Sequence, residues 1–193
     1  GLSLVYLPAP LAAMILYTYP IIVTVLSILL RDETFTWMKA AALAISVIGL
    51  TLVLGVSFAT ISMLGVTMGL GAAVVFSCYI LVSNRILKHV DSLVASSYVC
   101  TAAAAAFCLT TFASGSFITN LPLGGWMAIL GIAVFATFIA VLCFFAGISR
   151  LGPSNASIIS TVEPVITVIL SAIILDEFIN LTQVGGGLLI LGG

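Results

Sequence analysis

The chain has 193 residues, 63% of them hydrophobic and 6% charged, with five Lys and Arg, six Asp and Glu, and a net charge of −1. A soluble domain carries roughly 25% charged residues, and surface this apolar cannot be hidden inside a compact core of its own, so the solvent of this chain is a bilayer. That excludes a soluble enzyme, a disordered tail and a nucleic-acid binder, because the cations form no basic patch.

An apolar stub at 1–8 opens the chain. It lacks the basic leader and cleavage site of a signal peptide, so the chain is expected to be a piece of a longer protein. A spanning helix takes about 20 mostly apolar residues. Six such runs follow: span A at 11–30, B at 36–55, C at 63–84, D at 92–113, E at 125–149 and F at 154–175. A shorter stub, G, covers 181–193. The runs are continuous, without the alternation of barrel strands. The expected fold class is an all-α integral membrane protein, a multi-span helical bundle.

The breaks between runs have local causes. Gly152-Pro153-Ser154 places a proline in the first turn of F, where its missing N–H costs nothing. Asn180 and Gln183 have the spacing of a capping box opening G, and the Pro- and Gly-containing run 120–125 precedes E. Trp37 and Trp126 stand at first turns, where interfacial anchors belong. Gly65 and Gly69 form a GxxxG in C that predicts close helix approach, within or between protomers. Cys78, Cys100, Cys108 and Cys143 lie in apolar runs without metal or redox spacing and read as small buried hydrophobes. His89, the single histidine, reads as a solvated interface residue.

All five basic residues fall in alternate turns: Arg31 and Lys39 between A and B, Arg85 and Lys88 between C and D, Arg150 between E and F. The positive-inside rule then makes these turns cytoplasmic. The expected membrane is the plasma or inner membrane of the cell.

Displaced by 144 residues, the chain matches itself without a gap. Pro20 falls on Pro164, Ser27 on Ser171, Asp32-Glu33 on Asp176-Glu177 and Gly49 on Gly193, with 10 of the 43 pairs from 7 to 49 identical. Five spans separate the copies, so they face opposite ways. Inverted five-helix repeats are an architecture of secondary transporters, with the substrate site near the midplane. On this reading residues 1–55 supply the end of helix 3 and helices 4 and 5 of a first repeat. Residues 63–193 supply helices 6 to 10 of a second, the last one short, out of ten in the whole protein.

The chain resembles the EamA-type transporters of the drug/metabolite transporter superfamily over essentially its whole length. Pro20 followed by Glu33, Glu163-Pro164 followed by Glu177, Gln183 and Gly185-Gly186-Gly187, and Ser149-Arg150-Leu151-Gly152-Pro153 with Ala156 carry the resemblance. It implies ten helices in two inverted units, cytoplasmic termini, and export or exchange of small metabolites. The sequence departs at Lys39, whose repeat partner is Gln183, and at Ala41 and Ala42, opposite Gly185 and Gly186.

Glu163 is the one ionisable Asp, Glu, Lys, Arg or His deep inside a span. A carboxylate at that depth faces a cavity or partner, or is protonated. It reads either as a proton-coupling or amine-binding group or as a protonated hydrogen-bonding link between helices. Ser160, Glu163, Thr167 and Ser171 step by three and four along one stripe of F, as cavity lining or as helix–helix glue. Tyr17 and Tyr19 on A read as an aromatic, hydrogen-bonding wall or as packing with an occasional hydroxyl bond, and Tyr79 on C is a further cavity candidate. Pro20 and Pro164 are candidate hinges or static kinks, and Glu33 and Glu177 are helix-end caps or gate residues.

The function expected is secondary transport of an amino acid, nucleoside or drug-like metabolite by alternating access. Proton coupling is an open possibility, and no cofactor, metal site or catalytic residue is expected. The rivals are a non-transporting assembly or scaffold protein and, less well supported, an intramembrane enzyme. The partners expected are a small-molecule substrate, membrane lipid and a second copy of the chain, and no nucleic acid.

Overall fold

The structure, a computed structural model, describes residues 6–55, 62–115, 122–175, 178 and 180–192. Among them every regular element is helical, and six helices are long and apolar enough to cross a membrane: Ala9–Leu29, Trp37–Leu54, Met63–Leu87, Ser92–Ser114, Leu123–Leu151 and Pro153–Ile174. A shorter apolar helix covers Leu181–Gly192. The six expected spans are therefore present, each within a few residues of its expected ends.

Two of these spans are broken helices. The first consists of α1 (Ala9–Leu16) and α2 (Tyr19–Leu29), with a turn at Tyr17-Thr18 between them. The last consists of α8 (Pro153–Ile159), a 3-10 turn at Ser160–Val162 and α9 (Glu163–Leu175). The expected kinks at Pro20 and Pro164 thus lie one turn upstream of the prolines themselves. The physical reason is that a proline removes its own N–H and presses its ring on the carbonyl four residues back, which is Leu16 for Pro20 and Ser160 for Pro164.

Between them run α3 (Trp37–Leu54), α4 (Met63–Leu87), α5 (Ser92–Ser114), α6 (Leu123–Gly131) and α7 (Ala140–Leu151), and α10 (Leu181–Gly192) closes the order. Side chains mark three of the helix starts. Thr36 Oγ1 accepts the Lys39 N–H at the start of α3, Asp91 Oδ1 accepts the Leu93 N–H at the start of α5, and Gln183 Oε1 accepts the Asn180 N–H before α10. Gly55 and Gly115 end α3 and α5 with left-handed φ of 56° and 63°. Span E, expected as a plain helix, has a π-helical stretch at Ile132–Ile139 joining α6 to α7. Thr137 Oγ1 follows the wider register, donating to the carbonyl of Ile132 five residues back.

The described residues divide into two compact units, one with the chain up to Val82 and from Leu151 onward, the other Ser83–Arg150; the division falls inside α4. In the first unit the helices meet through small residues, as they must where lipid is as apolar as Leu and only close packing favours contact. A Cβ on Gly49 of α3 would stand 2.7 Å from the Gly186 carbonyl oxygen of α10, and one on Gly186 would stand 2.5 Å from that of Gly49. Leu50, Val53, Val165 and Ile190 pack around this crossing. Gly65 and Gly69 serve α1 in the same way. Their Cβ positions would overlap Leu7 and Ile15 at 2.5 and 2.8 Å, so the GxxxG of C is used within the chain.

In the second unit, Ser83, Ile86, Val94, Tyr98 and Phe145 line an apolar cavity of about 350 Å³. Contrary to the expectation of burial, Cys78, Cys108 and Cys143 are exposed and Cys100 is half-buried. A thiol on a membrane-spanning helix is as compatible with apolar surroundings outside the chain as with its interior, so burial within the described residues is not required of it. His89 is exposed, as expected.

Candidate functional site

The two helix breaks bring the expected residues together in the first unit. Their helices start at matching places: α1 at Ala9 and α8 at Pro153, α2 at Tyr19 and α9 at Glu163, α3 at Trp37 and α10 at Leu181, each pair separated by 144 residues. Tyr19 and Glu163 therefore hold corresponding positions, each opening the second half of a broken helix immediately before a buried proline.

Tyr19, 4% exposed, bonds its hydroxyl to Ser160 Oγ across the two breaks. Ser160 Oγ donates its own proton to the carbonyl of Ser157 at 2.7 Å, so the Tyr19 phenol is the donor of the pair. On its other side Tyr19 is held by α4. Ser77 Oγ, whose shorter bond at 2.7 Å is to the Ala73 carbonyl, lies 3.3 Å from the Tyr19 carbonyl, and the Phe76 ring meets the Tyr19 ring edge-on at 4.8 Å between centroids. Tyr79 stacks on Phe76 at 5.9 Å and Tyr17 lies 6.0 Å from Tyr19. Tyr17, Tyr19, Phe76 and Tyr79 form a ladder of ring contacts. Phe76 is the member that sequence reasoning missed, although its spacing of three from Tyr79 placed it on the same helical face.

Glu163 stands beside Tyr17 and Tyr19. Its side chain is exposed, as is that of Thr167 one turn further on, while Ser160 and Ser171 are half-buried. The expected stripe exists but divides by role. Ser160 belongs to the cross-break bond. Thr167 spends its proton on the Glu163 carbonyl at 3.0 Å, leaving the carboxyl group of Glu163 to other partners. The space enclosed here is small: Tyr17, Pro20, Ser46, Leu50 and Thr161 line a crevice of about 10 Å³, room for roughly one water. Glu163 lies at the exposed edge of this cluster. Among the described residues no group of three or more His, Cys, Asp and Glu has the arrangement of a metal centre.

A second polar cluster lies where the α2–α3 turn meets the start of α8. Glu33, expected as a helix-end cap or a gate residue, reaches across to α8. Its Oε1 accepts the Ser154 N–H at 3.1 Å, and its Oε2 pairs with Lys39 Nζ. Burial would raise the Glu33 pKa, but the hydrogen bonds from Lys39 and Ser154 and the Lys39 charge outweigh it and hold the carboxyl below its ordinary value. Gly152 makes room. Its φ of 84° suits glycine, and a Cβ there would stand 2.6 Å from Glu33 Oε1. Asp176 and Glu177, the repeat partners of Asp32 and Glu33, lie outside the described residues.

The sequence profile of the EamA-like transporter family matches residues 2–55 and 63–193. Three relatives are each described as an uncharacterized transporter. The Bacillus subtilis (strain 168) protein YcbK is 29% identical over 65% of this chain and 42% of its own length. YvbV of the same organism is 27% identical over 98% of this chain and 63% of its own length. An Archaeoglobus fulgidus protein is 24% identical over 100% of this chain and 69% of its own. The chain thus spans between two-fifths and two-thirds of the length of the first two. One crystal structure superposes with a TM-score of 0.78 over 98% of this chain and 67% of the other, at 21% identity, which establishes the shared fold.

Proposed function

Because the chain belongs to the EamA-like transporter family and is an integral membrane protein, we propose that it forms part of a secondary transporter for a small organic metabolite, with the Tyr17, Tyr19, Ser160 and Glu163 cluster as one wall of the substrate site. The observation that carries this reading is the placement of Glu163. It is about ten residues from either end of the span Pro153–Ile174, at a helix break, exposed, and beside two tyrosines. A carboxylate at that depth costs several kcal/mol unless water, a cation or a proton meets it. A water-filled route that opens alternately to the two sides supplies the first and delivers the others.

The chemistry of the wall suits an amphipathic solute. Glu163 would take an amine or a coupling proton, the phenols of Tyr17 and Tyr19 would present oxygens, and the rings of Phe76 and Tyr79 would pack an apolar portion. Amino acids, nucleosides and drug-like amines all fit that description. The two broken helices, starting and breaking at one 144-residue offset, support an inverted repeat, and rocking of its halves about the breaks would exchange access.

The test is flux of an amino-acid and nucleoside panel into proteoliposomes holding the full-length protein, with and without a pH gradient, for wild type and Glu163→Gln. Hydrogen bonds to charged groups contribute about 1.5–3 kcal/mol, so the apparent affinity of the substituted protein should fall roughly 10- to 100-fold, with any gradient response lost. Equal flux and equal pH response in both proteins would reduce Glu163 to a helix-linking hydrogen-bond group.

A further inference from the structure

Lys39 and Gln183 hold corresponding positions, two residues into helices that begin at Trp37 and Leu181, yet they do different things. Gln183 is neutral: its Oε1 accepts the Asn180 N–H at 3.0 Å and its Nε2 reaches the Val53 carbonyl at 3.5 Å. Lys39 is charged and pairs with Glu33, whose second oxygen binds the backbone of Ser154 at the head of α8. The Lys39 and Glu33 side chains are only 16% and 11% exposed. One carboxylate therefore clasps the α2–α3 turn to the start of the second broken helix, on the face that carries Arg31 and Lys39.

We propose that this clasp is the gate of the basic face, shut in the described conformation, and that the Lys39–Glu33 ion pair holds it shut, so that the resting transporter favours the state sealed on the basic side. The proposal rests on the transport reading above. Opening that side requires α8 to leave the α2–α3 turn. The move breaks the ion pair and strips the Ser154 N–H of its acceptor together. Charge-assisted hydrogen bonds are about twice as strong as neutral ones, and a pair this well covered is not dissolved by solvent screening as an exposed one is. Gly152 is part of the device, because a side chain there would collide with Glu33 and hold the clasp open.

The experiment needs no substrate. In the full-length protein with its native cysteines replaced, Ser27→Cys places a thiol where the side chain is fully buried, directly behind the clasp; the Ser27 carbonyl accepts the N–H groups of Asp32 and Glu33. A membrane-impermeant maleimide is applied to the basic face in inside-out vesicles. Labelling should be slow in the parent and in Lys39→Arg, and roughly tenfold faster in Lys39→Gln and in Glu33→Gln, the increase expected when about 1.4 kcal/mol of closure is lost. Glu33→Gln keeps an acceptor for Ser154, so it serves if Lys39→Gln fails to reach the membrane. Unchanged labelling in both substitutions overturns the gate. Labelling that responds beside flux unmoved by Glu163→Gln keeps the gate and removes Glu163 from the substrate site, while substrate flux sensitive to Glu163→Gln with unresponsive labelling sinks the gate alone.

Discussion

Tyr19 and Ser160 show how one bond's value depends on which partner is removed. Hydrogen bonds between membrane helices average only about 0.6 kcal/mol in double-mutant cycles, whereas an orphaned buried donor costs about 1–3 kcal/mol. Ser160 already gives its proton to Ser157, so Tyr19→Phe removes a donor and strands none. Ser160→Ala instead leaves the Tyr19 phenol, 4% exposed, without its acceptor. Ser160→Ala should therefore lower thermal stability in detergent more than Tyr19→Phe does, by roughly 1–2 kcal/mol against 0.6. The reverse order would show that Ser160 is not the acceptor. Glu33 carries the pH dependence. Its folded pKa lies below the ordinary 4.5, so its contribution is full above that value and is lost as pH falls through the lowered folded one. The maleimide rate at Ser27→Cys from the basic face, divided by that of a fully exposed control cysteine at the same pH to remove the falling thiolate fraction, should stay low from neutral pH to about 5 and rise in stronger acid. Glu33→Gln should be fast throughout with no such acid limb; an acid limb that persists in it would assign the titration to another group.

Among the elements, the glycine run of α10 separates packing from propensity. Gly186 touches the α3 backbone, whereas the Cβ position of Gly185 meets nothing within 4 Å. Gly186→Ala should cost about 1–3 kcal/mol by overpacking, while Gly185→Ala should be neutral or stabilising by up to about 1 kcal/mol from helix propensity. Unfolding of the two variants in one detergent decides it, and equal effects would refute the close crossing. The sequence placed the spans, because 20-residue apolar runs and capping residues are local signals. It placed the breaks only to within a turn, because proline acts on the carbonyl four residues earlier. It missed the π stretch in span E, which no proline marks and whose one polar residue, Thr137, is equally at home in an α-helix. The Glu33–Ser154 bond was out of reach, since it joins residues 121 apart through a backbone N–H that carries no sequence signature. The exposure of Glu163 was equally illegible. Helical spacing gives a stripe, and only the packing of α9 says which way the stripe faces.

At the scale of the molecule, the repeat and the charge pattern are independent readings that must agree. The 144-residue offset predicted corresponding helices, and the starts at 9 and 153, 19 and 163, and 37 and 181 follow it. An odd number of spans separates the copies, so their matching ends lie on opposite faces if each span crosses once. The five cations, all in alternate turns, give the same alternation from electrostatics. Both demand that Ser62, before α4, and His89, after it, lie on opposite sides of the membrane; α4 has the length to cross, at 25 residues and 1.5 Å per residue. In a cysteine-free full-length protein, His89→Cys should react with an impermeant maleimide only in inside-out vesicles and Ser62→Cys only in right-side-out ones. Reaction of both from one side would mean that α4 does not cross, and the inversion of the repeat would fall with it. Reaction of each from the side opposite to that expected would preserve the inversion and move the Glu33 clasp to the outer face, making its strength a bias toward the inward-open state.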